Sequence, residues 1–214
     1  MSSSFNFMPK EKVIVNLETQ NDCKLLKILS NWRLPEINIF EIYNVPDNEV
    51  NDVVNLLNIS IPKEINTFCF NSLGNHINYR NYAEGIGRFA GFVKEKLWLF
   101  NFKLDSVSLN HILMKSNHVN GFLLDSGLLD TSNLDFASSG YYKIKVIGLI
   151  NVTWTNNHQD WNAKQHFDRL IESFVMVGMH NNLEWLLVKE CGLTQKDIES
   201  VLHNRGLHNI HLEL

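Results

Sequence analysis

Leu183-Glu184-Trp185-Leu186-Leu187-Val188-Lys189-Glu190-Cys191-Gly192-Leu193 sets the frame for the whole chain. It reads as a short β-branched strand followed by a polar turn, with apolar residues at positions one, four and six (Leu183, Leu186 and Val188). The same spacing recurs elsewhere. Ile37, Phe40 and Ile42 have it, as do Ile65, Phe68 and Phe70, then Leu97, Phe100 and Phe102. Val119, Phe122 and Leu124 follow, then Ile144, Ile147 and Leu149, and after the quoted copy come Leu207, Ile210 and Leu212. Val13, Val15 and Leu17 form a weaker strand ahead of them all.

Starts at 37, 65, 97, 119, 144, 183 and 207 are 28, 32, 22, 25, 39 and 24 residues apart, a ragged form of the roughly 20–30 residues of a strand-plus-helix repeat. Most intervals hold a helical apolar stripe. Val50, Val53, Val54 and Leu57 form one, Ala83, Ile86, Ala90 and Val93 a second, and Leu109, Ile112 and Leu113 a third. Phe167, Leu170, Ile171, Phe174 and Val175 form a fourth. Ile198, Val201 and Leu202 close the series behind Thr194, an N-cap with Asp197 at the capping-box offset. Between Phe122 and Tyr142, Gly127 and Gly140 break any helix, and a loop or short turn is expected there.

These residues resemble the leucine-rich repeat family, in particular its ribonuclease-inhibitor-like members. Leu183 to Leu202 match that pattern closely, with Cys191 at the ladder position; the other copies match the strand half and carry Val45, Leu73, Gly127 or Val152 at the ladder. The resemblance covers about residues 37–214. It implies an α/β horseshoe solenoid with a parallel sheet on the concave face and helices on the convex face. Residues 1–36 are expected to be a flanking segment, a weak first repeat or a cap.

Strand alternation gives a similar geometry independently. Positions four and six share one face and are uniformly apolar, whereas positions three, five and seven share the other and are mixed. A doubly wound enzyme sheet buries both faces and reads as continuous hydrophobic strands, so one open face is the better expectation. On this register the open face carries Leu99, Leu123, Val146, Ile150, Trp185 and Leu187 as apolar rows, bordered by Lys103, Asp125, Lys189 and Glu213. An apolar centre with a polar rim is how protein interfaces are built. Trp185 is the anchor type of residue. We therefore expect partner binding through Leu99, Lys103, Leu123, Asp125, Val146, Ile150, Trp185, Leu187 and Lys189.

Composition narrows the function classes. The 214 residues are 44% hydrophobic and 20% charged, with a formal net charge of -4, which argues against a disordered acidic tail and a basic nucleic-acid binder. Arg and Lys number 19 against 23 Asp and Glu and form no stripe. No apolar run approaches the roughly 18 residues of a membrane span, and Met1 to Met8 lack the pattern of a signal peptide. A cytoplasmic protein is expected. Cys23, Cys69 and Cys191 are odd in number and widely spaced, which fits reduced thiols. The sequons at Asn58 and Asn151 fall in a chain of 28 asparagines and are discounted as chance triplets.

Other motifs favour structural explanations. Gly85, Gly87 and Gly91 superficially resemble a phosphate loop but lie inside a helical stripe, where they suit packing or a kink. His203, His208, His211 and Glu213 match no metal spacing and read as a solvated terminal edge. His158 and His166 are read as surface residues of an insertion. Cys69 points outward with no predictable base beside it, an inert thiol. Trp32, Trp154 and Trp161 read as core or cap residues.

The expected function is a non-enzymatic protein-protein interaction module, without cofactor or metal and without nucleic-acid or membrane partners. An F-box-type substrate adaptor lacking the F-box is one alternative. A small α/β enzyme whose sheet imitates the repeat is the other, and reversed strand order with helices on both faces would mark it. The apolar flank of the last strand gives a further expectation, self-association through the C-terminal edge.

Overall fold

The computed structural model describes residues 12–16, 37–45, 53, 65–72, 77–134, 142–155 and 160–214. Cys23, Trp32, Val50, Val54, Leu57, Leu73, Gly140, His158 and the first sequon lie outside them, as does most of the 1–36 segment. The elements run β1 (Lys12–Asn16), β2 (Ile37–Val45), β3 (Ile65–Ser72), β4 (Ile77–Asn78), α1 (Ala83–Ala90) and β5 (Val93–Phe100). Next come β6 (Phe102–Leu104), α2 (Ser106–Lys115), β7 (Gly121–Asp125), β8 (Leu128–Leu129), β9 (Val146–Ile150) and β10 (Thr153–Trp154). The last are α3 (Ala163–Met176), β11 (Trp185–Lys189), α4 (Gln195–Asn204) and β12 (His211–Glu213).

Eight of these strands form one sheet in the order β1-β2-β3-β5-β7-β9-β11-β12, every pair parallel. Strand order follows chain order throughout. The reversal that opens a ligand crevice in a doubly wound sheet is not present among the described strands. Phe40, Phe68, Leu97, Phe122, Ile147 and Leu186 align across the sheet, and their side chains join one apolar cluster with Ile86, Ile112, Phe167 and Ile198 from the four helices. None of the described residues at the alternate strand positions belongs to that cluster. The described helices thus pack on one face of the sheet, and among the described residues the other face carries none.

Two registers differ from the sequence expectation. Phe68 pairs with Leu97 and Phe70 with Leu99, so Leu97 occupies position four rather than position one. Leu99 is therefore core, with 0% of its surface exposed, and Phe100 turns to the helix-free face. At the last strand Leu212, not Ile210, lies opposite Leu186, a shift of two that preserves the faces. With these corrections Val13, Phe40, Phe68, Leu97, Phe122, Ile147, Leu186 and Leu212 follow one another at 27, 28, 29, 25, 25, 39 and 26 residues. The raggedness mostly disappears.

A recurring corner ends the strands from β5 to β11. Asn101, Ser126, Asn151 and Glu190 all have positive φ, between 49° and 58°. Each lies one residue past the strand, and successive corners are tied by backbone bonds: Asn101 N–H donates to Asp125 O (2.9 Å), Ser126 N–H to Ile150 O (2.8 Å) and Asn151 N–H to Lys189 O (2.7 Å). Side chains add rungs, Asn101 to Asn71 at 3.2 Å and Asn151 to Ser126 at 3.4 Å. Asparagine tolerates this left-handed region better than most residues, which accounts for two of the four. Cys191 follows the last corner, and its buried thiol donates to Leu149 O at 3.3 Å, in the preceding repeat. Past the corners, β4, β6, β8 and β10 form a second, four-stranded parallel sheet.

Local signals fix the helix starts. Thr194 and Asp197 form the expected capping box on α4, and Asn162 with Gln165 forms another on α3. Asp105 caps α2 by accepting from Ser108 N–H at 2.8 Å. Gly85 and Gly87 are buried within α1, where a Cβ on Gly87 would stand 2.9 Å from the His111 ring of α2. Close helix packing is thus the role of that glycine.

His166 departs from expectation. It is buried on α3, not on the surface, with Nδ1 2.9 Å from the Thr131 hydroxyl. Trp154 stacks on its ring at 5.9 Å and Trp161 meets it edge-on at 5.4 Å. Burial holds its pKa below the usual histidine value, against the opposing charge of Asp130.

Candidate binding face

Because alternate side chains point to opposite faces, the registers assemble the helix-free face into rows. One row runs Ile39, Thr67, Lys96, Gly121, Val146, Trp185 and His211. The next runs Ile14, Glu41, Cys69, Trp98, Leu123, Gly148, Leu187 and Glu213. A third holds Asn71, Phe100, Asp125, Ile150 and Lys189.

Seven of the nine expected residues, Leu123, Asp125, Val146, Ile150, Trp185, Leu187 and Lys189, do come together here. Leu99 and Lys103 do not. Leu99 faces the helices, for the register reason already given. Lys103 is exposed, but it lies past the Asn101 corner on β6, in the second sheet between Asn78 and Leu128. Their places on the face are taken by Lys96, Trp98 and Phe100, which the sequence reading missed. The run Leu97-Trp98-Leu99-Phe100 is apolar at every position and cannot fix its own parity. The signal that could have done so is Asn101, a residue suited to a corner, 25 residues before Ser126 and 50 before Asn151.

The centre of the face is a trough. Gly121 and Gly148 lower its floor, and a Cβ on Gly148 would come within 3.0 Å of the Leu123 side chain, which leans across it. Leu123 is consequently only 6% exposed. One wall is Trp98 stacked on Phe100 at 4.7 Å, with Lys96 Nζ 5.8 Å from the Trp98 ring. The opposite wall is Trp185, 44% exposed, resting on the His211 ring at 3.9 Å, with half-buried Leu187 beside it. Three strand spacings separate the walls, about 14 Å. The Trp98 indole N–H is buried and meets no acceptor among the described residues.

Charge lies at the margins. Lys189 pairs with Glu213 at 2.9 Å, and this holds the Glu213 carboxyl below its usual range. Lys145 pairs with Glu184 at 2.7 Å at the start of β11. Toward β2, Glu41 and Cys69 are buried on the same face, and Tyr43 hydrogen-bonds to Glu41. Burial first, and then that carboxylate, push the Tyr43 phenol up to about 12.

No protein-family model and no curated protein matches this chain. The site must therefore be read from its own chemistry. Among the described residues no group of three His, Cys, Asp or Glu side chains is placed to hold a metal ion. There, too, no helix is long and apolar enough to cross a membrane. His203 and His208 pack edge to face at 5.0 Å, while His211 lies against Trp185 instead of joining them.

Proposed function

We propose that this chain is a leucine-rich-repeat-like solenoid and a non-enzymatic module that binds a partner protein in the trough between β5 and β11. One observation carries the reading: Trp98, Phe100, Val146, Ile150, Trp185 and Leu187 stand on the face without helices and outside the core cluster. Large aromatic and aliphatic side chains held on a rigid sheet, with charged pairs at the margin, suit a protein interface.

Support for the solenoid comes from the sequential parallel strands, the near-even spacing, the ladder of left-handed corners and the Cys191 thiol bonded to the preceding repeat. The setting would be a reducing cytoplasm, in which Cys69 and Cys191 persist as buried thiols. The test places a photo-crosslinking amino acid at Leu187 and, as control, at exposed Met114 on α2. In native cells a discrete adduct is expected from Leu187 alone, lost when Trp98→Ala is added. Equal adducts from both positions, or an adduct indifferent to Trp98, would overturn the assignment.

A further inference from the structure

With the trough as the binding face, on which this rests, we infer that its occupant is one amphipathic α-helix of the partner protein. The helix lies antiparallel to the strands, with its N-terminal end toward Asp125.

The hydrogen bonding of the sheet decides against an extended peptide. β5 lies between β3 and β7, β7 between β5 and β9, β9 between β7 and β11, and β11 between β9 and β12. The strands under the trough are thus paired on both sides and offer an extended segment none of the main-chain partners that strand addition uses. Laid on Leu123, Val146 and Ile150, such a segment would bury backbone groups without bonds. A helix avoids that cost, because its N–H and C=O groups are satisfied within it.

The dimensions agree. A helix with its side chains is about 10–12 Å across, against about 14 Å between the strands that carry the walls. An extended strand takes up only about 4.8 Å of that width and could not touch Trp98 and Trp185 together. From the row of Lys96 and Trp185 to the row of Phe100 and Lys189 is a rise of four residues, about 13 Å. About nine helical residues span it, the length over which positions i, i+3 or i+4, and i+7 share one face. Gly121 and Gly148 lower the floor where that apolar stripe comes closest.

Charge sets the direction. Of the charged side chains in the rows between the walls, Lys189 is already neutralised by Glu213. Lys96 in the first row and Asp125 in the third make no ion pair among the described residues; Lys96 stands over the Trp98 ring, and Asp125 accepts from the Ser126 hydroxyl at 2.9 Å. A helix is positive at its N-terminus and negative at its C-terminus, so the Asp125 end suits the first and the Lys96 end the second.

Random peptides of about 16 residues, long enough for such a contact, are displayed on phage and panned against the full chain, with the Trp98→Ala/Trp185→Ala chain as counter-selection. The binders are expected to carry apolar residues at helical spacing and to gain helical circular dichroism on binding. Gly121→Val raises the floor with a residue suited to strands, and a Cβ there meets nothing nearer than 3.7 Å. It should weaken these peptides tenfold or more, with Gly121→Ala as the smaller step and thermal melts to check that each chain folds. A benzophenone at the peptide's N-terminal end should label the chain near Asp125, and one at its C-terminal end near Lys96. Binders with alternating apolar residues and no helical gain, or indifferent to Gly121→Val, would overturn the helix and leave the trough as the binding face. Labels at the opposite ends would overturn the direction. No selected peptide, alongside a Leu187 adduct that Trp98→Ala abolishes, would again overturn the helix alone, whereas loss of that adduct as well would overturn the binding face itself.

Discussion

His166 is the side chain whose environment has the clearest consequence for stability. A histidine held below its ordinary value of 6.5 in the folded state takes up a proton less readily than in the unfolded chain. The unfolded state therefore gains protons first as pH falls, and stability that is fully present above about 6.5 declines below it. His111 is lowered likewise, by burial and then by Lys115, and adds to the same slope. The urea midpoint should drop between pH 7.5 and 5.5, and His166→Phe should reduce that drop while keeping the packing between Trp154 and Trp161. Equal slopes in the two proteins would refute the assignment. Side-chain parity gives a second expectation. Leu186→Ala removes a buried side chain and should cost about 2–5 kcal/mol. Its neighbour Trp185, 44% exposed, should tolerate alanine within about 1 kcal/mol. The pair Leu99 and Trp98 should divide the same way, with Leu99→Ala the costlier change in denaturant titrations, because Leu99 is the inward member.

The corner after each strand matters more to the fold than its residue types suggest. Four successive corners adopt the same left-handed conformation, yet only Asn101 and Asn151 are residues that favour it; the backbone ladder holds Ser126 there, and Glu190 follows Lys189, whose carbonyl accepts from Asn151 N–H. Glu190 is exposed, so its side chain contributes little that a replacement would lose. Glu190→Gly should therefore raise unfolding stability by about 0.5–1 kcal/mol, whereas Glu190→Val should lower it by more. A midpoint unmoved by both would show that the corner is relaxed. The same element explains what the sequence did and did not disclose. Where a strand alternates cleanly, as in β7, β9 and β11, its face was legible, and seven expected residues fell on it. Where apolar residues run unbroken through Leu97-Trp98-Leu99-Phe100, spacing alone placed the strand three residues late, and Leu99 and Lys103 were misassigned with it. Capping behind Thr194 was legible because both partners are local. The pairing of His166 with Thr131, 35 residues away, has no local signature.

At the level of the whole molecule, the eight strands of the larger sheet lie side by side in chain order, and among the described residues no strand returns to bridge distant parts of that sheet. On the solenoid reading proposed above, stability is close to a sum of repeat and neighbour terms, and opening can begin at an end without disturbing the middle. Among the described strands, β7 and β12 differ in how many neighbours they have. β7 has β5 and β9 as partners and buries Phe122 and Leu124. Among the described strands β12 pairs with β11 alone, and its inward Leu212 stays partly exposed. The salt bridges of Arg205 to Asp168 and Glu172, at 2.9 and 3.0 Å, tie α4 back to α3. They are partly exposed and offset little of that deficit. Hydrogen exchange should therefore grade along the chain, slowest in β7 and β9 and faster through β11 to β12. One common opening free energy from β5 to β12 would mean that the sheet unfolds as a single cooperative unit and that the nearest-neighbour description is wrong. A gradient that persists when Leu186→Ala weakens β11, with β12 and β11 accelerated and β7 unchanged, would follow only if each repeat depends on its immediate neighbours.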